Sequence, residues 1–492
     1  MNRLARMMAL TLALLCLFTI GAAASVARLL PERIAWFQVA HVHDGVRARA
    51  GAPLATVRSW PSSGGPTAAG VAARLSGLMD SGHLGSSAGA MVADLSTGKV
   101  LYQLSSATGF APASTTKLAT AIAALDTLGP GARFTTKVTL LAGSSAAASA
   151  RTARIVLVGG GDPTLAAGRY PRPDYPQPAT LRSLAGATAR TLRGRHIDAV
   201  RLSYDASRFG GPVTATGWKP VGAPGNYISS GNVAPITGLE LDQGRLTASG
   251  RPEDADDPGN LRPRSLTPGA DAARAFARFL AKDGISVRGA PKSASHAHRR
   301  RNAQGTRLAA VQSPPLAAIV QEMLNESNNV IAETLARQVA LATGRPGTFT
   351  GGAAAVAAVD ARLGVTGIHL YDGSGLSPLD RITPRALVGL LRLAVRSGRL
   401  RSVVTGLPVA GFSGTLAPGS FFGPFGRAAL GTVRAKTGNL THVATLAGLA
   451  YTSGGQLLAF AFMGNDIATK LGLQPEITLA ELATALAGCG CR

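Results

Sequence analysis

The sequence is poor in cysteine and in acidic residues. Its 492 residues include only three Cys, and its 26 Asp and Glu stand against 50 Lys and Arg, so the formal net charge is +24. So few cysteines exclude a disulfide-stapled scaffold, and Cys489 and Cys491 are too few ligands for a structural zinc site. The fold must therefore be held by its apolar core, for which a hydrophobic content of 46% is ample.

Signatures of metal and nucleic-acid binding are also absent. The eight His show no ligand spacing, and the sequence has neither zinc-finger spacing nor the aromatic pattern of RNA-recognition domains. We therefore expect no metal, no organic cofactor and no nucleic-acid partner. The excess positive charge instead suits an anionic cell-wall polymer.

A long apolar run lies at the N-terminus. Arg3 and Arg6 precede an uncharged run over residues 7–27 that ends in small residues. This order is typical of a cleaved signal peptide, although the run is also long enough to remain as a single membrane anchor. Both alternatives place the rest of the chain outside the cytoplasm, secreted or at the cell envelope. Residues 28–66, rich in Pro, Gly, Arg and Ser, are predicted to be a spacer.

The order of helical and strand-like patterns predicts a discontinuous α+β domain. A helix and a hairpin are indicated between residues 68 and 102, and three strand-like runs and a helix between residues 431 and 487. We predict that residues 67–134 and 313–492 form one domain, with an antiparallel sheet that is built from both ends of the chain and flanked by helices.

The middle of the chain has a different pattern. Short strand-like runs alternate with Gly- and Pro-rich turns up to about residue 265, and a helical pattern returns at 270–284. A polar, basic tract at 293–306 is predicted to be a solvated loop. We interpret residues 135–312 as β-rich domains inserted into the larger domain.

Three short motifs occur in an order that is rare by chance. Ser114 and Lys117 form S-x-x-K at the start of a predicted helix, Ser327 and Asn329 form S-x-N before another helix, and Lys436 begins K-T-G in a strand-like run. Each motif alone is weak, because Ser and Asn cap helices in many proteins. Together they are the motif set of serine β-lactamases and penicillin-binding proteins.

Each of these residue types suits acyl transfer. Ser114 is a poor nucleophile until a base removes its proton. Lys117 lies one helical turn away, and burial and a second cation, Lys436, would lower its pKa enough to make it that base. Ser327 can relay a proton to the leaving amine, and Asn329 can orient Lys117 and hold a substrate amide.

The K-T-G strand is expected to bind the substrate. Lys436 would attract a substrate carboxylate, with Thr437 beside it, and Gly438 would let a substrate backbone approach the strand edge. The N–H groups of Asn439 and Ser114 would form an oxyanion hole. Four other polar residues in or near these motifs are expected to be structural rather than catalytic: Asp162, Glu326, Asp372 and His442.

Four longer segments extend the similarity. They are LVGGGDPTL (157–165), YDGSGLS (371–377), LPVAGFSGTL (407–416) and VRAKTGNL (433–440). With them, the sequence resembles the class C low-molecular-mass penicillin-binding proteins, the D-Ala-D-Ala carboxypeptidase/endopeptidase family, over about residues 70–488. The resemblance implies a transpeptidase/β-lactamase-like fold with inserted domains. It also implies a serine DD-peptidase that is acylated on Ser114 by peptidoglycan stem peptides and by β-lactam antibiotics.

Two alternative functions stay open. Ser114 and Ser327 are 213 residues apart, which is too far for class A β-lactamases, so a serine β-lactamase is the weaker alternative. A catalytically inactive homologue that binds the cell wall is the other. Labelling by penicillin distinguishes a live site from a dead one, and prompt β-lactam turnover would indicate a lactamase.

The sequence departs from the family at one subsite. Several members hold the end of a diaminopimelate side chain with an aromatic residue, an Asp shortly after a Trp, and an Arg directly after G-L-S. Trp218 and Tyr227 are present here, but no acid lies between them, and Pro378 follows G-L-S with Arg381 three residues later. With Tyr227 and Arg381 as candidate contacts, we predict weak discrimination for a free diaminopimelate end.

Overall fold

The computed structural model of the protein describes six stretches of the chain: residues 65–141, 152–168, 177–246, 263–294, 305–419 and 425–491. The predicted signal peptide or anchor, nearly all of the predicted spacer and most of the basic tract lie outside these stretches. Among the helices of the described residues, none combines the length and the apolar character that crossing a membrane requires.

The elements are numbered in chain order within the described residues. The strands are β1 (Ser87–Asp94), β2 (Val100–Leu104), β3 (Thr135–Leu140), β4 (Thr152–Val158), β5 (Ala199–Asp205), β6 (Ser286–Val287), β7 (Lys292–Ser293), β8 (Thr306–Gln312), β9 (Ile368–His369), β10 (Arg381–Ile382), β11 (Val433–Leu440), β12 (Val443–Tyr451) and β13 (Leu457–Asn465). The α-helices are α1 (Ala68–Met79), α2 (Lys117–Leu128), α3 (Leu181–Arg193), α4 (Pro268–Lys282), α5 (Leu316–Asn325), α6 (Asn329–Ala342), α7 (Phe349–Arg362), α8 (Pro384–Arg396), α9 (Arg401–Gly406) and α10 (Gln474–Ala487).

A five-stranded antiparallel sheet combines strands from both ends of the described chain. Its order is β11-β12-β13-β1-β2, so the early hairpin pairs with the last strand through β1 and β13. Strand β11 lies at one edge of the sheet. This arrangement confirms the predicted α+β fold with an antiparallel sheet.

Helices cover both faces of this sheet because side chains alternate along its strands. Phe460 and Phe462 of β13 pack in one apolar cluster with α1 and α10, which contribute Leu75 and Leu482. Ala459, Ala461 and Met463 belong to the cluster on the opposite face, which contains α2 and the helices α5 to α8. The site motifs therefore lie between a rigid sheet and a thick helical layer.

The inserted region is a second, mixed sheet. Its order is β6-β5-β4-β3-β8, with β7 also pairing with β5, and β4 runs parallel to β5. A parallel pair needs a crossover connection, and α3 provides it. The sequence patterns predicted only strands and turns before about residue 265, so this helix was not predicted. Its signal was the cap Thr180 and a buried stripe that recurs every three or four residues, from Leu181 to Leu192.

Strand β3 pairs antiparallel with β8, so the chain enters and leaves the inserted sheet on neighbouring strands. The two C-terminal cysteines, Cys489 and Cys491, bond to each other. This link is local to the end of α10 and joins no two domains, as their spacing predicted.

Candidate active site

Ser114 lies just before α2, not within its first turn. A 3-10 turn, Ala113–Thr116, precedes the helix, which begins at Lys117. Ala113 has a φ of 47°, a left-handed conformation that is costly for a residue with a side chain. This turn leaves Ser114 partly exposed, whereas Lys117 is fully buried. The hydroxyl can therefore reach a substrate from which the lysine is shielded.

The Lys117 amine has three close neighbours. Its Nζ lies 2.8 Å from Ser114 Oγ, 2.7 Å from Asn329 Oδ1 and 2.8 Å from the Ser374 carbonyl oxygen. The amide and carbonyl oxygens can only accept hydrogen bonds. They use the two N–H groups of a neutral amine, which leaves its lone pair for the proton of Ser114.

Burial adjusts the acidity of this amine. Removing Lys117 from water lowers the pKa of its ammonium from 10.5 to about 7, although the negative charges of Asp372 and Glu333 oppose the shift. A general base is most effective when its pKa lies near the working pH. Lys117 is thus in the range where part of the population is neutral and can accept a proton.

A carboxylate on α6 holds the third neighbour of Lys117 in place. Glu333 Oε1 accepts hydrogen bonds from the N–H groups of Gly373 (3.0 Å) and Ser374 (2.8 Å), while its Oε2 lies 3.3 Å from Arg337. Burial raises the pKa of Glu333, and the charge of Asp372 raises it further. The helix that carries Asn329 therefore also positions the Ser374 carbonyl.

The S-x-N motif occupies the loop between α5 and α6. Ser327 has a φ of 56°, and Asn328 caps α6 by accepting a hydrogen bond from the Ile331 N–H. Asn329, the first residue of the helix, donates from Nδ2 to the Asn232 carbonyl (3.0 Å) while its Oδ1 faces Lys117. The amide is therefore held with its oxygen toward the lysine.

Lys436 lies on the edge strand β11, completely buried. Its Nζ donates to Ser327 Oγ (2.9 Å) and to the Thr437 carbonyl (2.8 Å). Burial lowers the pKa of Lys436 well below 10.5, the charge of Lys117 lowers it further, and Glu326 opposes both effects.

The two lysines are close enough to influence each other. The sequence predicted that the charge of Lys436 helps to lower the pKa of Lys117. Burial is the main cause that lowers the pKa of both amines, and the charge of Lys117 adds to the effect at Lys436. Repulsion between two cations is mutual, so their titrations belong to the pair.

The rest of the K-T-G strand has packing roles that the sequence did not indicate. A Cβ on Gly438 would lie 2.2 Å from Thr445 Oγ1 and 2.7 Å from the Pro112 carbonyl, so glycine lets β11 approach the turn that holds Ser114. Thr437 Oγ1 donates to Thr415 Oγ1 (2.9 Å).

Asn439 lies further along β11, where its side chain is exposed. It donates to Glu476 at the start of α10. This contact joins the end of the motif strand to the C-terminal helix.

The four polar residues expected to be structural have structural contacts. Asp162 accepts hydrogen bonds from the Thr164 N–H and hydroxyl within its own turn. Asp372 accepts from three backbone N–H groups of its turn and from Trp218 Nε1. His442 Nδ1 contacts the Ile467 carbonyl oxygen. Glu326 is the C-cap of α5.

Tyr227 and Arg381, the two candidate contacts of a diaminopimelate side chain, differ in exposure. Tyr227 is partly buried and meets the ring of Trp218 edge-on, at 5.5 Å between centroids. Arg381 is exposed, and its Nη1 donates to the carbonyls of Pro378 and Asp380, both at 2.8 Å. Asp372, which accepts the Trp218 N–H, does not replace the acid missing from this stretch, because it is fully buried and already accepts four hydrogen bonds.

Three residues beside the motif side chains were not predicted from the sequence: Glu333, Ser374 and Thr415. Only Glu333 had a usable signal, since Asn329, Glu333 and Arg337 recur at i+4 on one face of an otherwise apolar helix. Within the described residues, no group of three or more His, Cys, Asp or Glu is arranged to hold a metal ion.

Several known proteins are similar to this chain. A model of the D-Ala-D-Ala carboxypeptidase 3 (S13) family matches residues 71–262 and 241–486. A carboxypeptidase of Mycobacterium tuberculosis is 36% identical over 435 residues, which cover 87% of this chain and 85% of the relative. A D-alanyl-D-alanine carboxypeptidase of Actinomadura is 28% identical over 469 residues, 84% of each chain. The solved structure of penicillin binding protein 4 from Haemophilus influenzae has a TM-score of 0.64 at 22% identity, covering 84% of this chain and 98% of that one, and shows the fold alone.

Proposed function

The chain belongs to the D-Ala-D-Ala carboxypeptidase 3 (S13) family, and from that premise we propose that it cleaves peptidoglycan stem peptides through an acyl-enzyme on Ser114. It is a low-molecular-mass penicillin-binding protein and a serine-type D-Ala-D-Ala carboxypeptidase. The proposal adds the nucleophile, covalent binding of penicillin, and endopeptidase action on cross-links.

Acylation begins with the neutral amine of Lys117. Its lone pair takes the proton of Ser114 as Oγ attacks the carbonyl carbon of the penultimate D-Ala. The N–H groups of Ser114 and Asn439 donate to the resulting oxyanion, and Lys436 with Thr437 receives the terminal carboxylate. A donor that stabilises such an oxyanion is worth about 3 kcal/mol of barrier.

Collapse of the tetrahedral intermediate breaks the C–N bond. Ser327, hydrogen-bonded to Lys436, passes a proton to the leaving nitrogen and takes up in its place the proton that Lys117 removed from Ser114, so Lys117 is neutral again. The nitrogen departs as D-Ala or as the amine of a neighbouring stem peptide. A water molecule then attacks the Ser114 ester, and Lys117 takes one proton from the water and returns it to Ser114 Oγ as the ester C–O bond breaks. This step frees the serine and a peptide that ends in a carboxylate.

The observation that supports this proposal most directly is the environment of Lys117 Nζ. Two oxygens that can only accept hydrogen bonds, on Asn329 and Ser374, lie beside it together with the Ser114 hydroxyl. A solvated lysine with no role in catalysis would need neither this burial nor these partners.

Intact-protein mass after incubation with penicillin tests the proposal. We expect the wild type to gain one penicillin per chain, Ser114→Ala to gain none, and Ser453→Ala, a control serine in the β12–β13 turn, to match the wild type. An adduct on Ser114→Ala would show that another residue is the nucleophile. Rapid loss of the wild-type adduct would favour the β-lactamase alternative, and a wild type that never reacts would favour the inactive homologue.

The location and the natural partners of the enzyme form part of the same proposal. A peptidoglycan substrate requires export, by the predicted signal peptide or anchor, and the net charge of +24 suits anionic cell-wall polymers. Fractionation of cells that express the full chain tests the location. Recovery of the protein in the cytoplasm would contradict it.

The subsite near Tyr227 and Arg381 supports a finer proposal on selectivity. Because no acid lies between Trp218 and Tyr227 to pair with the ammonium of diaminopimelate, and Asp372 is buried, the enzyme should accept free and amidated side-chain ends with similar kcat/KM. Each lost charge-assisted hydrogen bond removes roughly 1.5–3 kcal/mol of selectivity. A preference of about a hundredfold for the free form, equivalent to about 2.7 kcal/mol, would contradict the proposal.

A further inference from the structure

One face of the inserted sheet carries arginines on three neighbouring strands. Arg154 of β4 is the direct partner of Arg201 of β5 in their parallel pairing. The N–H of Arg288 donates to the Val200 carbonyl at 2.8 Å, which continues the pairing of β6 with β5 and places Arg288 beside Arg201. We call these three residues the arginine row.

The arginine row faces away from the apolar core of the insert. Ile155 and Leu157 of β4 and Leu202 of β5 belong to the cluster that packs under α3 and α4. Since successive side chains of a strand point to opposite faces, Arg154 and Arg201 lie on the other face. All three arginines of the row are exposed.

The same face has further basic residues. Lys292 is the partner of Ser203, and Arg307 is the partner of Thr139, so both continue the face of the row, and both are exposed. Asp205, at the end of β5, is the acidic residue among these strand positions.

This arrangement is unfavourable in the isolated protein. Neighbouring strands are about 4.8 Å apart, and like charges directly opposite each other destabilise a sheet. Arginine cannot relieve the repulsion by losing its proton. No carboxylate of the described residues forms an ion pair with the row, whereas Arg362 pairs with Asp126 at 2.7 Å elsewhere.

An anionic ligand would turn this repulsion into binding energy. Guanidinium groups bind carboxylate and phosphate with two parallel hydrogen bonds, so a regular polyanion could engage adjacent arginines in turn. The face has no aromatic residue among its β4 and β5 positions, which alternate from Thr152 to Val158 and from Ala199 to Asp205. Base stacking and insertion into a lipid layer both need such side chains.

We propose that the arginine row, with Lys292 and Arg307, binds an anionic polymer of the cell envelope and holds the peptidase against its substrate. This inference rests on the proposed envelope function but does not use the active site. The charge on the polymer is carboxylate or phosphodiester, and two probes distinguish these sources: polygalacturonate and poly(glycerol phosphate).

Equilibrium binding of the full chain to each probe, measured over a series of salt concentrations, tests the proposal. The test variant is the triple substitution R154Q/R201Q/R288Q. The control is R345Q/R396Q/R401Q, which removes the same charge from exposed arginines outside the inserted sheet. We expect the test variant to bind at least one probe about tenfold more weakly with a shallower salt dependence, and the control to stay within about threefold of the wild type.

Three further measurements complete the test. Both triple variants should react with penicillin at the wild-type rate, and Ser114→Ala should bind the probes like the wild type, so a failure of the proposed function would leave this result unchanged. Arg201→Gln should raise the Tm at low salt and not at high salt, because it removes the central repulsion. Equal weakening by both triple variants, or tighter binding to duplex DNA or to phosphatidylglycerol vesicles than to either polymer probe, would overturn the proposal.

Discussion

Like charges lie close together in two regions of the molecule, buried in one and exposed to water in the other. In the active site, Lys117 and Lys436 are completely buried, and burial lowers the pKa of both. In the inserted sheet, Arg154 and Arg201 lie opposite each other in water. Lysine in a dry site can lose its proton, whereas arginine stays charged.

The buried lysines and the exposed arginines are suited to different roles. A buried lysine with a pKa of about 7 exchanges a proton near neutral pH and can act as a base. An exposed row of arginines cannot, but it keeps a fixed positive charge for an anion. Burial, which lets lysine lose its charge, therefore suits catalysis in one region, and by our proposal a charge that is kept suits binding in the other.

Lys117→Arg is expected to have the largest effect, because it gives the buried site a cation that keeps its proton. We expect acylation by penicillin to fall about 10²–10⁴-fold, the usual contribution of a general base, at every pH from about 6 to 9. Stopped-flow or discontinuous labelling measures the rate. Lys117→Met, which is similar in length and uncharged, should fall as far, and Lys99→Arg is the exposed control.

Near-normal acylation by Lys117→Arg would show that another group takes the Ser114 proton. Circular dichroism and thermal unfolding of both variants establish that the fold is retained.

Lys436→Ala would test whether the second lysine acts as a fixed charge, as an arginine does. Its lowered pKa means that it binds a substrate carboxylate best after taking up a proton. We therefore expect KM for peptides with a free terminal carboxylate to rise with pH in the wild type. The variant should lose about tenfold or more in kcat/KM on these peptides.

An ester substrate without that carboxylate is the matched control for Lys436→Ala. An equal loss on both substrates would place the role of Lys436 in proton transfer instead of carboxylate binding.

Glu333→Gln tests how strongly a nearby carboxylate influences the pKa of Lys117. The Glu333 charge raises the pKa of Lys117, so removing it should lower that pKa and move the rising limb of the acylation–pH profile to lower pH. The amide keeps an acceptor for the Ser374 N–H, so the maximal rate should fall only severalfold. An unshifted profile with a lower maximum would indicate a purely structural role. The control is Glu322→Gln, on α5.

Helix caps in the two regions predict the smallest effects. Thr180 caps α3 in the insert and Asn328 caps α6 in the active site, and each change to Ala should cost about 1 kcal/mol of stability. Thr180→Ala should leave acylation unchanged, whereas Asn328→Ala should also slow it, because Asn329 follows the cap. Chemical denaturation measures the stability and penicillin labelling measures the acylation rate. Equal acylation in both variants would show that the Asn328 cap does not influence the catalytic residues.

Much of the fold was predictable because its signals are local. The helix at Ala68–Met79, the first hairpin and the three late strands follow from apolar periodicity and turn residues. The helix at Leu181–Arg193 was missed because Pro- and Gly-rich segments surround it, and it bridges two parallel strands that only tertiary pairing brings together. The strained turn at Ala113, which displaces Ser114 from the helix, had no sequence signal.

The sequence alone specifies which chemistry is available: two hydroxyls, two amines and an amide, on local elements that their neighbours in the sequence specify. The partners and the protonation of these groups depend on the tertiary structure. Lys117 meets Asn329 and Ser374, which are 212 and 257 residues away in the chain, and their contacts together with burial set its pKa. A pKa depends on solvent exclusion and on charges nearby in space, and neither is a property of a residue's neighbours in sequence.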